Sequence, residues 1–217
     1  MNRAPPFLDA AAGLAAVAAL ALLLVPSAAP FLPWIKALPA LIWSVSFLAG
    51  RGPGRALPTT ALGFAAMGDF LLAEAGQFVF GVAAFAVFQS LFAVRFWTEA
   101  KHRPTPRRGL LAAPLVYGAV TVAVLAACLP QVGDLAVPMV LYGGLLTAMA
   151  SGYAASGRGR ILAWGGALFY LSDALILWFR AWPAPFFTDW MILIPYYLGI
   201  FLIARGISGA SPSRAYL

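Results

Sequence analysis

The sequence predicts an all-α protein, a single polytopic bundle of eight transmembrane helices with both termini on the cytoplasmic side. Three observations carry that reading. Apolar residues make up 63% of the 217 residues and charged residues only 10%, against roughly 45–50% and 25% in a soluble globular domain. The apolar residues fall into eight stretches, each near the ~20 residues that a membrane helix needs. The basic residues gather on alternate connections between those stretches, as the positive-inside rule requires. Residues 1–217 therefore form one transmembrane domain, with no room for a separate soluble one.

In order, the spans are Phe7–Val25, Phe31–Ala49, Ala56–Ala75, Gln77–Trp97, Gly109–Leu129, Asp134–Tyr153, Arg160–Phe179 and Asp189–Ala204. The first is followed by Ser27-Ala28-Ala29, a small-residue site of the kind that ends a secretory signal. Its apolar run is too long for one, and Arg3 is the only basic residue ahead of it, so it is kept as a helix. The second span is interrupted by Pro33, Lys36 and Pro39. The third contains ALGFAAMGDFLLAE, Ala61 to Glu74, with Asp69 inside it. The sixth and eighth open on Asp134 and Asp189, which suit the positive end of a helix dipole. Short connections rich in Gly and Pro make sequence neighbours antiparallel.

Topology follows from the charges. Arg3, Arg51, Arg55, Arg95, Lys101, Arg103, Arg107, Arg108, Arg158, Arg160, Arg205 and Arg214 all fall on one side if eight spans cross. Arg180 alone falls on the other, and Lys36 lies inside a span. The expected location is an integral one, in the bacterial inner (cytoplasmic) membrane. The net charge of +7 thus reports topology and contact with lipid headgroups. No nucleic-acid partner is expected, because no aromatic interleaving or binding fold accompanies the basic residues. Trp178, Trp182, Trp190, Phe186 and Phe187 cluster around the turn between spans 7 and 8 and read as an interfacial belt.

Three charged residues lie well inside spans: Lys36, Asp69 and Asp173. Each is five or six residues from the outer end of its span, hence roughly 8–9 Å below the non-cytoplasmic boundary. A charge at that depth costs roughly 3 kcal/mol or more unless partnered, and two carboxylates and an ammonium in one layer can partner one another. Tyr142, Tyr196 and Tyr197 enter from the same side, about 10–13 Å deep, and Gln89 lies nearer the midplane. Gly63 and Gly68 on span 3, and Gly165, Gly166, Ala167 and Ser172 on span 7, flank the acids. Small residues permit close helix approach. Spans 3 and 7 are therefore expected to line one polar cavity open to the outer side. The bland alternative is a structural ion pair or triad that orients helices.

Two carboxyls in one low-dielectric cavity tend to divide into a protonated and an ionised partner, the pairing used for acid-labile ether and acetal bonds. A lone Cys128 and a lone His102 rule out a His/Cys metal cluster and an intrachain disulfide, so no metal and no cofactor is expected. Without a Gly-x-Ser-x-Gly elbow a serine hydrolase is not supported. Ala66 and Ser172 stand where a Gly-x-Gly-Asp aspartyl protease would have Gly and Tyr. A lipid-binding or lipid-translocating protein, or a small proton-coupled transporter, could use the same acids.

Taken together, the motifs resemble the YhhN family of membrane lysoplasmalogenases. They are Lys36 with Pro39, Gly68-Asp69-Phe70-Leu71-Leu72, Gly81 to Phe85, Phe169-Tyr170-Leu171-Ser172-Asp173 and Tyr196-Tyr197-Leu198. Three departures stand out: Ala37 and Leu38 separate the lysine from its proline, Gln89 replaces a histidine, and Gly199-Ile200-Phe201 lacks a glutamine. The resemblance implies hydrolysis of the vinyl ether bond of a lysophospholipid substrate within membrane lipids. The products would be a fatty aldehyde and glycerophosphoethanolamine or glycerophosphocholine. It also implies Asp69 and Asp173 as the catalytic acids, Asp173 as acid and Asp69 as base or stabiliser. Lys36 would then hold the phosphate, the three tyrosines would orient water or the ether oxygen, and Gln89 and Ser172 would complete the substrate-facing set.

Overall fold

The computed structural model describes residues 6–50, 54–102, 107–183 and 185–209. They form eight α-helices, with no strand among the described residues: α1 (Pro6–Leu22), α2 (Leu32–Ala49), α3 (Ala56–Ala73), α4 (Phe78–Lys101), α5 (Arg107–Cys128), α6 (Ala136–Ala155), α7 (Arg160–Ala181) and α8 (Thr188–Gly209). Each expected span has its helix, displaced by a few residues at most ends. Seven of the eight are long and apolar enough to cross a membrane; α1 is apolar but shorter. It stops at Leu22, and a turn and a 3-10 helix, Pro26–Phe31, carry the chain to α2. Arg3, Arg51, Arg103 and Arg214, counted in the charge asymmetry, lie outside the described residues, as do the side chains of Arg107 and Arg108.

α2 runs unbroken through all three residues that interrupt the apolar run of the second span. Pro33 falls in the first turn, where the missing N–H would have had no helical partner. Pro39 lies within the helix and is buried, and neighbouring helices stabilise what its ring removes. Asp134 sits in a one-turn 3-10 helix ahead of α6 rather than on α6 itself.

Chain neighbours pack side by side from α1 through α4, and again from α5 through α8; α4 then meets α6, bypassing α5, and α8 returns to touch α1 and α2. The result is a ring of α2, α3, α4, α6, α7 and α8, with α1 in the α2–α8 seam and α5 outside α6 and α7. Arg205 near the end of α8 pairs with Asp9 in the first turn of α1 at 2.7 Å, so the start of α1 and the end of α8 share one end of the bundle.

The core is aromatic and centres on α4. Its buried residues recur every three or four positions, at Gly81, Phe85, Phe88, Phe92, Phe96 and Ala100, the spacing of a single helix face. Phe88 and Phe169 lie 5.0 Å apart between ring centroids, and Phe96 and Tyr153 4.8 Å. Polar ties cross the helices where hydrocarbon gives backbone carbonyls no water: Ser44 donates to the Thr59 carbonyl at 2.8 Å and Trp97 to the Ala148 carbonyl at 2.8 Å.

Candidate active site

Asp69 belongs to the buried face of α3, in register with Ala61, Leu62, Ala65 and Ala66. Asp173 belongs to that of α7, with Gly165, Gly166, Phe169 and Leu177. Helix periodicity turns both carboxyls inward, and they are 7% and 2% exposed. They border one cavity of about 170 Å³ together with Lys36, Ser172, Asp189 and Tyr196. Lys36 comes from the start of α2 and Asp189 from the start of α8, so the cavity lies at the end of the bundle where α3 and α7 finish. The expectation that helices 3 and 7 line one polar cavity is met.

The expected reason is not. The glycines beside the acids do not draw α3 and α7 together; each serves a different neighbour. A Cβ on Gly68 would stand 2.5 Å from Phe85 Cδ2, so glycine there lets the Phe85 ring lie against α3 next to Asp69. A Cβ on Gly165 would meet Ile203 N of α8 at 2.7 Å, and one on Gly166 would meet Tyr153 of α6 at 2.4 Å. Phe85, in the space Gly68 opens, lies 5.9 Å from Tyr196 and 6.1 Å from Phe169 between ring centroids.

Each acid is held by a tyrosine. Tyr196 donates to Asp69 Oδ2 at 2.6 Å, and Tyr142 donates to Asp173 Oδ2 at 2.6 Å, a length typical of hydroxyl-to-carboxylate bonds, about 2.5–2.7 Å. Gln89 Nε2 donates to the same Asp173 Oδ2 at 3.0 Å. Gln89 is fully buried, and its Oε1 has no partner among the described residues. The sequence-predicted Tyr142, Tyr196, Gln89, Asp69 and Asp173 thus form two clusters, which border the cavity through Asp69, Tyr196 and Asp173.

Three predicted residues are used differently. Lys36 does not pair with either buried acid; its Nζ lies 3.9 Å from Asp189 Oδ2, and its side chain is largely withdrawn from solvent while that of Asp189 is exposed. Equal depth is not contact, because α2 presents Lys36 toward the start of α8. Tyr197 donates to the Lys36 carbonyl at 3.3 Å, tying α8 to α2. The Ser172 hydroxyl donates to the Ile192 carbonyl at 2.9 Å and so ties α7 to α8 while bordering the cavity. Asp189 was legible only as a helix-start residue, yet its position at the outer edge of its span already put it at the cavity mouth. Phe78 and Phe85 also line the cavity; Phe78 carried no signal beyond apolarity, and Phe85 stood out only as the end of the Gly81-to-Phe85 motif.

No curated protein and no solved structure matches the chain. The YhhN family profile matches residues 31–207, which includes every helix that borders the cavity. By a match that covers most of its length, with both buried acids inside it, the chain belongs to the YhhN family.

Proposed function

We propose that this protein is a membrane-embedded hydrolase that cleaves the vinyl ether bond of lysoplasmalogens, with Asp173 as general acid and Asp69 as general base. Membership of the YhhN family supports a lysoplasmalogenase-like activity at the level of the family. The observation that carries the finer reading is the pair of acids on one cavity, each with Oδ2 bound by a tyrosine and Oδ1 without a protein partner among the described residues.

The chemistry follows from that arrangement. Tyr142 and Gln89 occupy Asp173 Oδ2, so an acid proton on Asp173 sits on Oδ1. It passes to the chain-side vinyl carbon, whose π electrons form the new C–H bond. The carbon bearing the ether oxygen becomes an oxocarbenium ion, next to the Asp69 carboxylate. Water adds there and gives its proton to Asp69, forming a hemiacetal. Asp173 then takes the hemiacetal hydroxyl proton as the C=O bond forms and the ether C–O bond breaks. Asp69 returns its proton to the departing glycerol oxygen. Both acids end as they began, and the products are a fatty aldehyde and glycerophosphoethanolamine or glycerophosphocholine. Lys36 at the mouth binds the phosphate in exchange for its loose contact with Asp189, while Tyr196, Tyr197 and Ser172 fix the walls. The bundle crosses the bacterial inner membrane eight times with both termini cytoplasmic and the cavity on the outer side.

Purified protein in detergent, given a lysoplasmenyl-phosphoethanolamine and no ion gradient, should release aldehyde. Asp69→Asn and Asp173→Asn should each lower that rate by roughly 10²–10⁴-fold, the usual worth of a positioned acid or base, while eluting as folded protein. Retained activity in either variant sinks the mechanism. Absence of aldehyde from the wild type would leave a lipid binder, a lipid translocator or a proton-coupled transporter.

A further inference from the structure

A second void of about 30 Å³ adjoins the polar cavity. The outer halves of α4 and α7 and the start of α6 wall it, with Val82, Met139 and Leu177 among its lining. Its character is the opposite of its neighbour's: apart from Tyr142 and Asp173, every lining residue is apolar. The two spaces share Leu72, Phe78, Phe85, Asp173 and Ile176 as a common wall. Asp69, Lys36, Ser172, Asp189 and Tyr196 border the polar space alone. On the outside of the void Val79 is half exposed and Phe80 more so, so it lies one side-chain layer from the bilayer-facing surface. Asp173 is therefore the one acid that stands at the boundary between a polar and an apolar chamber.

We infer that the apolar void seats the first carbons of the hydrocarbon chain of a single-chain lipid, with the rest of the chain lying out in the bilayer beside Val79 and Phe80. This inference rests on the reading of the polar cavity as a lysolipid ether hydrolase site. The void's volume suits roughly one or two carbons rather than a whole tail, and an apolar void stays dry and takes apolar guests. A chain on one side and a headgroup on the other draws the bond between them across Asp173. Val82 on α4 and Met139 on α6 both line the void and set which chains fit. A second chain has no room there.

A photoreactive lysophosphatidylcholine tests this without catalysis. It carries a diazirine on the chain carbons nearest the glycerol, and its ester linkage is not a vinyl ether. Photolysis with the purified full-length protein in detergent should label peptides covering 78–85 and 136–142, and unlabelled lysophosphatidylcholine should compete. Val82→Trp fills the void and should cut that labelling at least roughly tenfold, about 1.4 kcal/mol of binding. Met139→Phe repeats the test from α6 should Val82→Trp fail to fold, and Val82→Ala should keep full labelling. Labelling spread along α5 without competition, or unchanged in both filled variants, overturns the chain site. Specific labelling by a wild type that releases no aldehyde would keep the chain site and remove the hydrolase. Aldehyde release with unchanged labelling and rate in the filled variants would do the reverse.

Discussion

Asp173 receives two donors on one oxygen, Tyr142 at 2.6 Å and Gln89 at 3.0 Å, and that asymmetry has a catalytic consequence. As Asp173 gives up its proton it turns from neutral acid to carboxylate, and both hydrogen bonds strengthen. Interactions that strengthen on the way to the transition state raise kcat rather than lower KM. A hydrogen bond to a charged group contributes about 1.5–3 kcal/mol, so Tyr142→Phe should reduce kcat roughly tenfold to a hundredfold with KM little changed. Gln89→Leu should act the same way and also removes the unpartnered Oε1. Steady-state aldehyde release separates kcat from KM; an effect confined to KM would mean that the phenol only shapes the pocket. At this scale the sequence was partly readable. Depth comes from counting residues at about 1.5 Å each, which puts Lys36, Asp69 and Asp173 in one layer. Rotation about each helix axis cannot be counted that way, and so the Lys36–Asp189 contact at 3.9 Å was out of reach.

α7 and α8 make the closest contact in the bundle because each offers the other a glycine. A Cβ on Gly199 would stand 2.8 Å from Phe169 N, and one on Gly206 would stand 2.8 Å from Leu162 Cβ on a helix that cannot shift locally. The neighbour at Gly199 is backbone, so no rotamer change relieves the clash. Small residues are what bring membrane helices together, since lipid tails give no hydrophobic drive between them. Gly199→Val should therefore destabilise the protein by about 1–3 kcal/mol or more and, by parting α7 from α8, separate Asp173 from Tyr196 and lose activity. Gly144→Ala, where a Cβ meets nothing within 4 Å, should leave both the melting curve in detergent and the rate unchanged. Equal melting of the two variants would show that α7 and α8 tolerate separation. The helices themselves were plain in the sequence, because apolar runs of membrane length leave little choice. Their neighbours were not. Apolarity alone does not distinguish α4, whose face holds the aromatic core, from α5, which stands outside the ring; only the spacing of Phe85, Phe88, Phe92 and Phe96 marks α4 out. Adjacent glycines 165 and 166 were read as one small patch, yet they face α8 and α6 respectively.

The orientation of the bundle decides on which side of the membrane the cavity opens, and α1 is the helix that decides the number of crossings. Its 17 residues reach about 25 Å against a hydrocarbon core of about 30 Å, a mismatch that local thinning absorbs at a modest cost. The Asp9–Arg205 pair at 2.7 Å brings the start of α1 to the end of α8. That closure is what eight antiparallel crossings produce, and it buries a carboxylate next to the cation that neutralises it. A re-entrant or surface-lying α1 would instead place Ser27 on the same side as the chain's start. Single cysteines at Ser27, Gly76 and Phe186, in the α1–α2, α3–α4 and α7–α8 connections, can be challenged with a membrane-impermeant maleimide on intact cells. Gly157, in the α6–α7 connection, and a tag ahead of Met1 serve as markers for the opposite side. Cys128 is fully buried and should stay silent. All three outer positions should label on intact cells, with Gly157 and the tag reached only after the membrane is opened. Labelling of all three positions with the tag also reached on intact cells would reduce the crossings to seven while leaving the cavity on the outer side. Labelling of Gly157 on intact cells would turn the bundle over, and the lipid pool available to Asp69 and Asp173 would become the cytoplasmic one.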